Sequence, residues 1–223
     1  MLGDVGLPNL ATAREAFDGA TLTAAVESAA ARLRTIHEAP VPGELLSSAR
    51  WAGVTGWHQR LGAAIAADLR TVEAMDPPGG GDLARRVADL ITAPPTWEGP
   101  LAILHGDYGA PNVLVDPRTG RVRIVIDWEW ARVGDPAFDL AKVRLEALAA
   151  TPSRLVDEHD LSRFVVAYGA GSEALDRWDD SVLGLAHVLP LLVALLRSLP
   201  ADHHAGAVAV ASTLVEALRT GST

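Results

Sequence analysis

Cysteine is absent from the 223-residue sequence. This absence excludes disulfide bonds, thiolate zinc sites and cysteine nucleophiles, and it fits a protein of the reducing cytoplasm, which is where we expect this one. Aromatic residues are also scarce, at 5% of the chain, whereas 49% of the residues are hydrophobic. Alanine and leucine dominate the apolar residues, a composition that favours packed helices over a β-sandwich.

Positive charge is in the minority. The chain has 19 Lys and Arg residues against 28 Asp and Glu residues, and its formal net charge is −9. This balance argues against nucleic acid as the main partner, because a phosphate backbone needs a basic surface. A cationic small molecule would instead be attracted. Lysine occurs only once, at Lys142, and every other basic side chain apart from histidine is an arginine.

Long apolar runs and targeting signals are also lacking. The longest apolar stretch, 182–196, is shorter than the ~20 residues of a membrane span and contains His187 and Pro190. We interpret it as a buried helix kinked at Pro190 and expect no membrane partner. The N-terminus does not have the basic and then apolar order of a signal peptide. Residues 1–20 are interpreted as a linker-like segment that precedes one domain over residues 21–223.

Apolar periodicity and capping residues predict a mainly helical α+β fold. The predicted helices cover residues 21–38, 55–75, 83–91, 161–168, 173–199 and 206–219, and a further helix follows Pro136. Thr21 or Thr23 is the expected N-cap of the first helix, and Asp135 that of the helix after Pro136. Short β-branched runs lie at 101–104, 112–116 and 121–127. The turn "PRTG" joins the last two, which predicts a β-hairpin.

The hairpin brings chemically useful side chains together. Asp107 follows the first short strand in "HGDYGAPNVLVD", Asn112 comes five residues later, and Asp127 ends the returning strand. Asn112 and Asp127 flank the open end of the hairpin and should be neighbours. Their oxygen atoms suit Mg²⁺, which leaves Asp107 free to accept the proton of an attacking hydroxyl. In an extended chain Glu129 would project to the same side as Asp127, as a further metal ligand.

The motifs "HGDYGAPN", "VIDWEW" and "GDPAFDLA" together resemble those of the aminoglycoside phosphotransferase and choline kinase-like families of small-molecule kinases. The resemblance covers 101–143 closely, and "LRTIHEAPVP" at 33–42 is also similar to the family pattern. It implies a protein kinase-like C-terminal lobe with a small hairpin at the catalytic loop. It also implies transfer of phosphate from ATP, with Mg²⁺, to a hydroxyl of an aminoglycoside-like antibiotic, choline, an amino alcohol or a sugar.

The resemblance also implies roles for individual residues. Asp107 in the loop 105–112 would be the catalytic base. Asn112 and Asp127 would hold Mg²⁺ and, through it, the nucleotide, with the metal motif at 127–129. His105 would shape the catalytic loop, and Asp139 would support that loop by hydrogen bonds to its backbone.

One part of the family pattern has no counterpart. The N-terminal lobe of such kinases supplies a phosphate-covering loop and a strand lysine, but no strand-rich segment precedes the helices here, and Lys142 follows the metal motif. No G-x-x-x-x-G-K motif occurs either. We therefore expect a C-terminal lobe alone. A truncated chain, a reduced lobe that associates with itself or with a partner chain, and a non-catalytic binding or regulatory module all remain open.

Two further interpretations concern the same acidic residues and a second acidic segment. Metal-dependent hydrolysis by His105, Asp107 and Asp127 is a weaker alternative, because it leaves Asn112 and the hairpin unexplained. The segment "DRWDD" at 176–180 combines an aromatic side chain with three acids, and could bind a cationic acceptor. A solvated helix start explains that segment more simply.

Overall fold

A computed structural model describes residues 6–44, 57–91, 100–151, 154–169, 171–177 and 181–220 of the chain. The α-helices in these ranges are α1 (Leu10–Ala13), α2 (Gly19–His37), α3 (Trp57–Met75), α4 (Gly80–Leu90), α5 (Ala137–Leu148), α6 (Leu161–Gly169), α7 (Ser181–Ser198) and α8 (His204–Thr220). The strands are β1 (Ala102–Leu104), β2 (Val113–Val115), β3 (Val122–Val125) and β4 (Arg132–Gly134). The predicted mainly helical α+β class is confirmed.

Helix α2 begins earlier than the sequence predicted. Asp18 is its N-cap, and the Asp18 side chain accepts a hydrogen bond of 2.7 Å from the backbone N–H of Thr21. The prediction of Thr21 or Thr23 as the N-cap was therefore wrong, because an aspartate three residues before Thr21 satisfies the first-turn donor. One face of α2 is buried at helical spacing, through Ala25, Val26, Ala29, Ala30 and Leu33.

Helix α5 begins at Ala137, just after Pro136. The structure assigns Pro136 as the N-cap instead of Asp135, so the predicted start was early by one residue. Asp135 still serves the first turn, since its Oδ1 accepts a hydrogen bond of 2.9 Å from the N–H of Ala137. Asp135 is fully buried and pairs with the guanidinium of Arg177. These contacts fix the point at which the chain leaves the strands and enters the helix.

The predicted hairpin is confirmed. Strands β2 and β3 are antiparallel, with Val113 opposite Val125, and Asp116 closes the turn by accepting backbone N–H groups of Arg118 and Thr119. Strand β4 was not predicted. It pairs with β1 in a second two-stranded antiparallel sheet, in which Ile103 lies opposite Val133.

The N-terminal residues that the structure describes pack along this hairpin. The N–H of Val115 donates to the carbonyl of Pro8 at 3.0 Å, Asn9 forms a β-bridge with Leu114, and Leu10 is fully buried. A linker-like character therefore does not describe the chain from Pro8 onward.

Helix α7 lies at the centre of the helical packing and contacts α3, α5 and α8. In the described part of the chain it is the one helix long and apolar enough to cross a membrane, and half of it is buried inside the fold. Its buried residues include Leu185, Leu189 and Leu192, and the helix continues through Pro190. It begins at Ser181 and not at 173, because a separate 3₁₀ turn, Leu175–Arg177, precedes it.

Candidate active site

The loop between β1 and β2 carries the predicted catalytic segment. Gly106 lies in this loop with φ of 81°, and a Cβ atom placed there would lie 2.3 Å from the carbonyl oxygen of Trp130. Only glycine fits such a conformation at so close a backbone approach. The loop is therefore packed directly against the turn that follows β3.

Asp139, in the first turn of α5, contacts the backbone of this loop. Its Oδ2 accepts the N–H of His105 at 2.8 Å and its Oδ1 accepts the N–H of Gly106 at 2.9 Å. His37, at the end of α2, lies 3.2 Å from the same carboxylate through Nε2, and its Nδ1 lies 2.8 Å from the hydroxyl of Tyr168. The sequence patterns did not predict this contact between His37 and the carboxylate that holds the loop.

The carboxylate of Asp139 is completely buried. Burial alone would raise the pKa of Asp139, but the hydrogen bond and charge of His37 and the two backbone donors outweigh it and lower the pKa. Asp139 is thus a fixed anion between α2, α5 and the loop.

His105 links the loop to the end of β3. Its Nδ1 accepts the N–H of Asp107 at 3.2 Å and its Nε2 lies 2.9 Å from the carbonyl oxygen of Ile126. These two partners require a neutral ring with the proton on Nε2, which donates to that carbonyl. The ring is fully buried and packs 4.7 Å from the ring of Trp128, measured between centroids.

Asp107 and Asn112 are in direct contact. Asn112 Nδ2 donates to the carbonyl oxygen of Asp107 at 2.9 Å and to its Oδ2 at 3.0 Å. Asn112 is buried, whereas 41% of the Asp107 side chain is exposed. The Asp107 carboxylate is therefore oriented by a buried amide on one side and accessible to a molecule in solution on the other.

A backbone hydrogen bond between Ile126 and Asn112 places the following residue, Asp127, near Asn112. The N–H of Ile126 donates to the carbonyl oxygen of Asn112 at 3.0 Å, and Asp127 follows in the left-handed conformation, with φ of 62°. The Asp127 side chain is exposed, and it makes no hydrogen bond or ion pair within the described ranges. The amide nitrogen of Asn112 donates to two acceptors of Asp107, so the Oδ1 atom of Asn112 is left to bind a ligand. These two sets of oxygens fit a hard cation.

Glu129 is placed differently from what the sequence suggested. Trp128–Trp130 form a 3₁₀ turn, not an extended strand. Side chains two residues apart in such a turn do not lie on the same side, so the alternation argument for Glu129 was wrong. The role of Glu129 as a metal ligand stays a prediction.

Among the residues that the structure describes, no group of three or more His, Asp or Glu side chains is arranged to hold a metal ion. Mg²⁺ does not need such a group, because it commonly uses one or two protein carboxylates and completes its shell with phosphate oxygens and water. A surface depression that Arg86, Glu158, Ser212 and Glu216 help to line contains none of the predicted site residues.

Lys142 also belongs to the site, although the sequence patterns did not predict it. Its Nζ lies 3.2 Å from Asp107 Oδ1 and 2.8 Å from Glu146 Oε1, and only 11% of the side chain is exposed. Burial would lower the pKa of Lys142, but the charges of Glu146 and Asp107 outweigh it and raise the pKa. The signal was present in the spacing of residues 139, 142 and 146, which lie on one stripe of a helix.

Comparison with known proteins places this geometry in a family. The sequence pattern of the family described as "Phosphotransferase enzyme family" matches residues 8–180. The chain belongs to the phosphotransferase enzyme family. Viomycin phosphotransferase of Streptomyces vinaceus is 39% identical over 67 residues, which are 29% of this chain and 23% of that protein. The curated relatives are matched over 10 to 23% of their own lengths.

Solved structures of this family share the fold. A thermostable mutant of aminoglycoside phosphotransferase APH(4)-Ia, in ternary complex with AMP-PNP and hygromycin B, superposes with a TM-score of 0.67 at 20% identity, covering 95% of this chain and 69% of that one. A choline/ethanolamine kinase family protein from Mesorhizobium loti gives a TM-score of 0.55 at 20% identity, covering 99% and 73%. The resemblance to both kinds of small-molecule kinase is thus confirmed.

The structure describes only the first two residues of the acidic segment at 176–180. Residues 178–180 lie outside the described residues. Binding of a cationic acceptor there stays a prediction.

Proposed function

We propose that this chain transfers the γ-phosphoryl group of ATP, with Mg²⁺, to a hydroxyl of a small molecule. Family membership and the nucleotide-bound neighbour support a phosphotransferase. The observation that carries the proposal is the contact between Asp107 and Asn112, with Asp127 held next to them through Ile126. We further propose that the chain corresponds to the helical C-terminal lobe of such kinases.

In this proposal Asp107 receives the acceptor hydroxyl. The hydroxyl oxygen attacks the γ-phosphorus, its proton passes to the Asp107 carboxylate, and the bond from the γ-phosphorus to the oxygen of the leaving ADP breaks. The exposed carboxylate can reach a bound molecule, and its orientation by Asn112 fixes the direction of proton acceptance.

Asn112 Oδ1 and the Asp127 carboxylate would hold Mg²⁺, with Glu129 as a further candidate ligand. When bound, the ion neutralises charge on the nucleotide phosphates. Asp139 and His105 would keep the loop in place, because they fix the backbone of residues 105–107 and the carbonyl of Ile126. The acceptors that we propose are an aminoglycoside-like antibiotic, choline, an amino alcohol or a sugar, since the net charge of −9 favours a cationic molecule.

The test is product analysis. The chain is incubated with ATP, Mg²⁺ and a panel of these acceptors, and the products are identified by mass spectrometry, with Asp107→Asn as the control. We expect ADP and one phosphorylated acceptor in equal amounts, and far smaller amounts of both in Asp107→Asn. Free phosphate without a phosphorylated acceptor would indicate hydrolysis, and no product at all would favour a non-catalytic binding module.

A further inference from the structure

Helix α5 carries a stripe of three charged side chains, two of which contact the proposed catalytic loop. Asp139, Lys142 and Glu146 are spaced by three and four residues, so they lie above one another on one helix face. Asp139 holds the loop backbone at His105 and Gly106. Lys142, one turn further along, contacts the side chain of the next loop residue, Asp107. The helix therefore fixes both the backbone and the proposed proton acceptor of the loop.

The two oxygens of the Asp107 carboxylate have different partners. Lys142 Nζ lies 3.2 Å from Oδ1, and Asn112 Nδ2 donates to Oδ2 at 3.0 Å. A carboxylate with one donor can rotate about its Cβ–Cγ bond, whereas two donors on separate oxygens define its plane. Because the stem of Lys142 is buried and its ammonium also pairs with Glu146, the Lys142 side chain itself has little freedom.

The choice of lysine is distinctive in this chain. Every other side chain of the Lys and Arg class is arginine, yet the compact ammonium occurs where a buried cation must contact two carboxylates on different sides. An ammonium is a point charge with three donors, whereas a guanidinium is a planar fork that favours bidentate pairing. The contact with Asp107 is thus one that arginine would make in a different geometry.

From these contacts we infer that Lys142 is a positioning residue for phosphoryl transfer, which orients the ionised Asp107 carboxylate toward the acceptor hydroxyl. The inference rests on the proposed function. Lys142 acts through Asp107, so its removal lowers kcat and leaves the KM for the nucleotide nearly unchanged. Arginine at this position keeps the charge but not the geometry and restores only part of the rate.

A double-mutant cycle measures this role. We expect Lys142→Met to lower kcat about 10- to 100-fold while the KM for ATP changes less than about threefold, and Lys142→Arg to recover part of the loss. In an Asp107→Asn background, Lys142→Met should change the residual rate less than about twofold, because the group that it orients is gone. Equal effects of Lys142→Met in both backgrounds would show a merely structural role and overturn the inference.

The single lysine also permits a readout without activity. In protein labelled with ¹⁵N-lysine, NMR titration follows Lys142 alone. Asp107→Asn should lower the measured pKa of Lys142, because one of the two carboxylates beside the ammonium loses its charge. Asp127→Asn should leave the pKa of Lys142 unchanged, because the Asp127 side chain does not contact Lys142. An unshifted Lys142 in Asp107→Asn overturns the inference. If the pKa of Lys142 falls in Asp107→Asn as expected but the wild-type chain is inactive, the proposed function is overturned, and the inferred role of Lys142 with it.

Discussion

Asp139 Oδ1 accepts the backbone N–H of Gly106 at 2.9 Å, across 33 residues of sequence. This contact, with its neighbour at His105, attaches the loop 105–112 to α5 through a completely buried carboxylate. His37 adds α2 to the same cluster. The loop conformation therefore depends on a side chain that does not itself face the solvent.

Replacing this carboxylate tests the dependence. Asp139→Asn replaces the carboxylate with an amide, which has only one acceptor oxygen. Backbone N–H donors lie against both oxygens of Asp139, so one buried N–H loses its partner. We expect the free energy of unfolding to fall by about 3 kcal/mol, measured by urea denaturation at pH 7. Asp202→Asn, at a side chain that is 79% exposed, is the matched control and should stay within about 0.5 kcal/mol of wild type. Equal effects of the two variants would contradict the role assigned to Asp139.

Gly106 should tolerate no side chain. Gly106→Ala places a Cβ atom against the carbonyl of Trp130 in a left-handed backbone conformation, and we expect a loss of about 2–4 kcal/mol of stability. Gly62, inside α3, has open space around it, and Gly62→Ala should instead stabilise the protein by about 0.5–1 kcal/mol. Thermal unfolding of both variants checks the pair, and a Gly106→Ala protein as stable as wild type would show that the loop can move away from Trp130.

Asp127 combines local strain with its proposed function. A non-glycine residue at φ of 62° carries a conformational cost of about 1 kcal/mol that glycine avoids. Asp127→Gly should therefore raise the free energy of unfolding by about 0.5–1 kcal/mol while it removes magnesium-dependent nucleotide binding. Asp127→Ala, which removes the carboxylate but keeps the strain, should be less stable than Asp127→Gly. The opposite order in urea denaturation would show that the left-handed conformation is not maintained in solution.

Acid should destabilise the protein through His187, a residue of α7. Burial lowers the pKa of His187 to about 4, although a hydrogen bond to the carbonyl of Phe138 partly opposes the shift. The unfolded chain takes up a proton near pH 6.5, whereas the folded chain does so only near pH 4. Stability from this neutral histidine is therefore complete above pH 6.5 and is lost as the pH falls toward 4.

Because His187 keeps some solvent contact, we expect a loss of about 2 kcal/mol between pH 6.5 and pH 4. Urea denaturation across this range measures the loss. His187→Gln retains a donor for Phe138 but cannot titrate, so it should flatten the pH dependence. His203→Gln, at an exposed histidine, should keep the wild-type slope. A His187→Gln protein with the wild-type slope would assign the acid sensitivity to other groups.

Local patterns predicted much of this protein. Alternation and a turn signal located the β2–β3 hairpin, and the spacing of motifs identified Asp107, Asn112 and Asp127 as residues to examine. Strand β4 was missed because it is three residues long and is specified by its pairing with β1. The extended conformation expected around Glu129 was wrong because Asp127 adopts a left-handed conformation and a 3₁₀ turn follows.

The contacts of His37 and Lys142 could not be read from neighbouring residues. His37 lies 102 residues from Asp139 in sequence, and Lys142 lies 35 residues from Asp107. Only the packing of α2 and α5 against the loop brings these pairs together. The helical stripe of Asp139, Lys142 and Glu146 gave a local hint, but it did not identify which loop residue Lys142 would contact.

Calorimetric titration with ATP, in the presence and absence of Mg²⁺, tests the central claim most directly. The account predicts nucleotide binding by this chain that requires Mg²⁺ and is lost in Asp127→Asn, which keeps the left-handed conformation but removes the negative charge. Asp107→Asn should bind nucleotide nearly as wild type does, because Asp107 is assigned to the acceptor. Nucleotide binding that depends neither on Mg²⁺ nor on the Asp127 carboxylate would contradict the account, and so would the absence of binding at millimolar ATP.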